Sequence, residues 1–115
     1  MESSILASIK KLLGGIAEEC EDFDPDIIFQ INAALSALNQ LGVGPEDGFV
    51  IYDSSATWDE LLNTSKNLET VKSYVYAKTK LAFDPPQSSA LIQVLKDTVD
   101  ECEFRITVAV DHNEV

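Results

Sequence analysis

Between Pro25 and Gly42 the apolar residues Ile27, Ile28, Ile31, Ala34, Leu35, Leu38 and Leu41 recur three and four positions apart. In a helix of 3.6 residues per turn that spacing makes one broad apolar stripe, whereas a strand would need strict alternation. Asp24 stands where an N-cap is wanted and Pro25 at the first helical position, where its missing N–H leaves no bond unmade. Gly42 stands where the chain must enter the left-handed region to stop. A stripe this wide is stable only when other elements cover it. The rest of the chain must supply them.

It does so with the same period. From Ser3 to Leu13, Ile5, Ile9, Leu12 and Leu13 follow helical spacing, with Ser3 or Ser4 as cap and Gly14-Gly15 as terminator. Thr57-Trp58-Asp59-Glu60 forms a capping box that starts a short helix through Leu61 and Leu62, interrupted by Asn63-Thr64-Ser65. Trp58 is read as an anchor in the core or at a helix edge. A further helix is expected over Leu68–Phe83, with Leu68, Val71, Val75 and Ala82 on one face and Tyr74, Ala77 and Leu81 widening it. Asp84-Pro85-Pro86 must end it, because a residue before proline avoids helical geometry. Ser88 or Ser89 then caps a last helix whose stripe is Leu91, Ile92, Leu95, Val99, Cys102 and Ile106. The β-branched Ile106–Val110 stretch can turn extended, and residues 111–115 read as a frayed tail.

One segment breaks the pattern. Gly44-Pro45-Glu46-Asp47-Gly48 is turn chemistry, and Phe49-Val50-Ile51-Tyr52 has strand composition without an obvious partner strand. The expected fold is mainly α: a compact bundle of about four to five helices in one domain over residues 1–115, with one long loop containing a short extended segment.

Composition limits what such a bundle can do. At 115 residues it can bury a full core without staples, and no apolar run approaches the ~20 residues of a membrane span. Lys10 and Lys11 follow the first apolar residues instead of preceding them, unlike a secretory signal, so the chain is expected to stay in the cytosol of the cell that makes it. Twenty acidic residues against eight basic give a formal charge of −12. Affinity for nucleic acid rests on clustered cations that displace counterions, so this surface repels DNA and favours basic partners. Cys20 and Cys102, far apart and without a CxxC, read as reduced thiols, with a disulfide or metal site as the alternative.

No catalytic set emerges. Asp22, Asp24 and Asp26 alternate as the first ligands of a calcium loop do, but Ile27 and Ala33 occupy the positions that need glycine and glutamate. Carboxylates before a helix N-terminus are explained by the helix dipole. The single histidine, His112, lies near the chain end, away from any scaffold that would hold a catalytic base. Gly42-Val43-Gly44-Pro45 puts proline where a phosphate loop needs amide donors. Asp53-Ser54-Ser55 shares only its first two residues with the cofactor-bearing motif of acyl carrier proteins. No enzyme activity, metal or cofactor is expected.

Taken in order, the landmarks resemble the small head–tail connector (adaptor) proteins of tailed bacteriophages and prophages. They begin with Ser3-Ser4-Ile5-Leu6 and Ile9-Lys10-Lys11-Leu12-Leu13-Gly14. Phe23-Asp24-Pro25-Asp26-Ile27-Ile28, Ile31-Asn32 and Leu41-Gly42-Val43-Gly44 follow. Tyr74-Val75-Tyr76, Lys78, Leu81 and Phe83-Asp84-Pro85-Pro86 complete them before the last helix. The resemblance implies a structural virion protein without catalytic residues, forming a ring, usually dodecameric, beneath the portal. That ring would receive the next neck or tail component and let DNA pass through its lumen. The protein would sit in the host bacterial cytoplasm during assembly and in the virion neck afterwards.

A ring needs one patch that meets a different patch on the next subunit. Composition offers three candidates: the apolar loop residues Phe49, Val50, Ile51 and Tyr52, the basic Lys72, Lys78 and Lys80, and the acidic Glu18, Glu19 and Asp22. For each, local packing or a solvated face is the plain alternative. The leading rival function is an acidic DNA mimic or inhibitor that occupies the groove of a basic partner, and a generic helical adaptor is third.

Overall fold

The apolar stripes fold as five helices, α1 (Ile5–Leu13), α2 (Asp24–Gln40), α3 (Trp58–Leu62), α4 (Leu68–Phe83) and α5 (Ser89–Asn113). The computed structural model describes residues 4–14, 20–62 and 68–113, the last four of them by their backbone. Among the described residues the only β pairing is a single antiparallel bridge between Ser4 and Thr57. The mainly α bundle expected from the periodicity is what the chain forms.

α4 is the central helix, with α5 along one side and α2 and α1 packed elsewhere around it. Ile27, Ile31, Ala34, Leu35 and Leu38 of α2 are buried against Val71, Tyr74 and Val75 of α4 and Ile5, Leu6, Ile9 and Leu13 of α1. Cys102 and Ile106 close the core from α5. Leu12, placed in the α1 stripe by its spacing, is instead exposed, and Leu6 takes the interior place. Ala82 is exposed too, because the buried arc of α4 runs through Val71, Tyr74, Val75, Ala77 and Thr79.

Helix ends follow their local chemistry. Ser4 Oγ accepts from the Ala7 amide at 3.2 Å and caps α1. The end of α2 is a Schellman motif: the Val43 amide donates to Leu38 O and the Gly42 amide to Asn39 O, both at 3.0 Å, with Gly42 at φ 97°. At the start of α2 the Asp24 cap does not form. Asp24 is already helical, and Pro25 still falls in the first turn. The Asp24 carboxylate is engaged elsewhere, as described below. The α3 capping box forms as read, with the Thr57 amide donating to Glu60 Oε1 at 2.8 Å and the Glu60 amide to Thr57 Oγ1 at 3.2 Å. Ser88 starts α5, its Oγ accepting from the Leu91 amide at 3.4 Å. Ile106–Val110 remains helical, since burial of Cys102 and Ile106 holds that face on the bundle and no strand lies beside it among the described residues.

The loop after α2 is pinned at both ends. Gly44 has φ +89°, which strains any other residue, and a Cβ there would sit tightly at 3.0 Å from Leu61 Cδ1. At the far end, the Ile5 amide donates to Ala56 O at 3.0 Å, and Trp58 Nε1 donates to Ser8 Oγ at 3.1 Å. The Trp58 ring is buried, as a core anchor should be.

Candidate assembly surfaces

The loop candidates divide. Ile51 is 1% exposed and belongs to the core, which removes it from any interface. Its burial has a specific cause. Asn32, on the edge of the α2 stripe, accepts from the Ile51 amide through Oδ1 at 2.8 Å and donates from Nδ2 to Ile51 O at 3.0 Å. One side-chain amide thus does what a neighbouring strand would do for the extended piece, pairing both main-chain groups so that the side chain can go inside. Phe49 is half-buried against the core, while Val50 and Tyr52, the latter 82% exposed, face outward. Alternation about one buried residue therefore leaves two loop candidates on the surface.

The lysines do not form one face. At roughly 100° per residue, Lys78 projects about 120° away from Lys72 and further still from Lys80. Lys72 Nζ lies 6.0 Å from the Trp58 ring centroid and Lys78 Nζ 5.5 Å from that of Tyr74. Lys80 pairs with Asp84 at 2.9 Å, one helical turn on. Asp22 is exposed, whereas Glu18 and Glu19 lie outside the described residues.

Sequence reading missed a charge pair built into the interior. Lys10 is 3% exposed; its Nζ meets Asp24 Oδ1 at 2.8 Å and donates to Cys20 O at 2.7 Å. The pair ties the first helix to the entrance of the second. A buried ammonium is tolerable only with such partners, and nothing in the period of α1 signals it. Nearby, the Phe23 and Phe83 rings meet edge to face with centroids 6.0 Å apart. The two Phe-Asp-Pro segments thereby join the start of α2 to the end of α4. Phe29, 69% exposed, lies beside them in a shallow hollow shared with Asp26 and Asp84.

The second omission is the outer face of α5. Val99, Cys102 and Ile106 turn toward the bundle, but Val94, Phe104 and Val108 are exposed. α5 thus carries apolar residues on both sides, a pattern already present in the spacing of Val94, Phe104 and Val108. On the inner side the Tyr74 hydroxyl donates to Glu103 Oε2 at 2.9 Å, and burial together with Glu103 raises its pKa well above the ordinary tyrosine value.

Among the described residues no three His, Cys, Asp or Glu side chains come together in a metal-holding group, and both cysteines are free thiols. No helix of the described residues is long and apolar enough to cross a membrane. What stands out on this acidic helical bundle is a set of exposed apolar side chains, Phe29, Val50, Tyr52, Val94 and Phe104 among them. The chain belongs to the phage connector protein family, whose model matches residues 5–113, from the first residue of α1 to the last of α5. It is therefore a structural phage protein of a non-enzymatic family, a virion component whose membership implies interaction with other phage head and tail proteins. No curated protein and no solved structure matches the chain significantly.

Proposed function

We propose that this chain is a head–tail connector, or adaptor, that forms a ring of identical subunits beneath the portal and joins the DNA-filled head to the neck or tail. The family match across residues 5–113 carries the reading, because it covers the whole helical bundle and not one motif. Its partners are further copies of itself in a ring, dodecameric by resemblance, then the portal protein and a downstream neck or tail completion protein. It assembles in the host cytoplasm and ends in the virion neck.

Two physical features support this. A charge of −12 per subunit, repeated around a lumen, keeps phosphates from adhering to the wall and leaves DNA free to move. Exposed apolar residues on α5 and at Val50 and Tyr52 suit a protein that meets more than one neighbour. Deleting the gene in its phage provides the test. Heads should package DNA but fail to join tails, and they should leak unless the gene is restored in trans. Normal virions from the deletion strain would refute the connector role.

A further inference from the structure

The outer side of α5 is apolar at Val94, Phe104 and Val108 and carries Asp97 and Glu101 between them. At roughly 100° per residue all five fall within about 40° of the direction opposite Val99, which faces α4. Both carboxylates are exposed and held only locally: Gln93 Nε2 donates to Asp97 Oδ1 at 2.9 Å, and Arg105 approaches Glu101 at 3.4 Å. The stripe is thus an acidic apolar ridge that no other described element covers.

A complementary surface lies between α1 and α4. Ser8, Lys11, Leu12, Lys72, Ser73 and Tyr76 line a groove there, with Glu69 at its edge. Leu12 is half exposed and apolar. Among the described residues no carboxylate lies within ion-pair distance of Lys11 or Lys72, although acidic residues outnumber basic ones by 20 to 8 in the chain. Beside the exposed leucine, Lys11 and Lys72 thus stand without an ion-pair partner among the described residues, Lys72 resting near the Trp58 ring. On α4, Lys72 and Tyr76 lie about 40° apart, while Tyr74, Lys78 and Leu81, which border α5, lie roughly 180–240° round from Lys72. Ridge and groove therefore face away from each other across the subunit.

We propose that the α5 ridge of one subunit docks into the α1–α4 groove of the next copy in the ring, with Asp97 and Glu101 facing Lys11 and Lys72. The proposal rests on the ring reading and supplies the contact that builds it. Charge and position together decide among the partners this chain can offer. Two α5 ridges paired about a two-fold axis would set Asp97 and Glu101 against their own counterparts. The hollow at Phe23, Phe29 and Phe83 would present Asp26 and Asp84 to them. Two surfaces offer the opposite sign, the lysine groove and a hollow lined by Lys78, Leu81, Lys96 and Val99 with Asp100; the hollow flanks α5 itself, so the groove is the one that lies across the subunit from the ridge. A ridge meeting a different surface on the far side of its neighbour is a heterologous contact, the kind that closes rings.

Charge exchange tests it, with self-association read by sedimentation velocity in the presence and absence of purified portal. Asp97→Lys with Glu101→Lys, and separately Lys11→Glu with Lys72→Glu, should each weaken association by roughly tenfold or more. All four changes in one chain should restore it. Because Lys72 borders the Trp58 ring, the exposed pair Glu101→Lys and Lys11→Glu repeats the exchange without touching the core. If wild type assembles and the one-sided variants assemble equally well, or the full exchange fails to rescue, this pairing is wrong while the ring stands. If wild type forms no oligomer even on the portal, the ring falls and the pairing falls with it.

Discussion

Replacing Asn32 with alanine removes one side chain and breaks two bonds to the same distant residue. The Ile51 amide loses its acceptor at 2.8 Å and the Ile51 carbonyl its donor at 3.0 Å, while the Ile51 side chain remains inside the core. A buried polar group left without a partner costs about 1–3 kcal/mol, and a main-chain pair partly reachable by water falls toward the lower end for each member. The sum is about 2–4 kcal/mol, a large share of the 5–15 kcal/mol typical of a domain. For a chain of this size that corresponds to a fall in melting temperature on the order of 10 °C. Thermal and urea melts followed by circular dichroism measure it. Asn32→Asp refines the test, since the carboxylate can still accept from the Ile51 amide but repels the carbonyl; it should fall between alanine and wild type or below both. The loop that presents Val50 and Tyr52 should also loosen, giving faster amide exchange at Ile51 than in the core of α4. An Asn32→Ala protein within about 0.5 kcal/mol of wild type, the range of unremarkable surface changes, would refute the view that this side chain stands in for a strand.

Other perturbations separate interior from surface. Lys10→Ala should destabilise by about 3–5 kcal/mol because it strands the Asp24 carboxylate, and adding Asp24→Asn should recover part of the loss in a double-mutant cycle. The Thr79 hydroxyl is buried without a hydrogen-bond partner among the described residues, so Thr79→Val should leave stability unchanged or raise it by about 1 kcal/mol in a chemical melt. Tyr52→Ser should alter the melt by less than about 0.5 kcal/mol while Ile51→Ala costs about 2–5 kcal/mol, a contrast that assigns one to the surface and the other to the core. The raised pKa of Tyr74 means that the folded state keeps a proton the unfolded state has released, so stability should fall as pH rises above about 10, and Tyr74→Phe should flatten that slope in melts at graded alkaline pH.

Much of the bundle could be read from spacing because its signals are local. The limits of α4 follow from a stripe that begins at Leu68 and a Phe83-Asp84-Pro85-Pro86 stop, and both are properties of neighbouring residues. Gly42 marks its Schellman turn for the same reason. The misplacements have a common cause in contacts between distant positions. Asp24 was assigned to its own helix end, yet a lysine fourteen positions earlier, Lys10, claims its carboxylate. Ile51 looked like a surface residue in an unpaired extended piece until Asn32 supplied the pairing from α2. There was a partial signal: Asn32 sits among Ile28, Ile31 and Leu35, and a polar residue at the margin of a buried stripe needs a partner. Which partner it finds is a tertiary fact. The lysine face failed through geometry that spacing did contain, since positions 72, 78 and 80 cannot share one side of an α-helix. Ile106–Val110 shows propensity yielding to context, as β-branched residues follow the helix that their buried neighbours hold in place.

The central claim is that this structural phage protein forms the ring between portal and tail, and electron microscopy of the portal mixed with a rising excess of purified protein tests it most directly. A closed ring of identical subunits, dodecameric and coaxial with the portal channel, should be seated on the portal's outward end. Portal particles that gain no density at saturating protein, with the added chain remaining monomeric in the same sample, would contradict it.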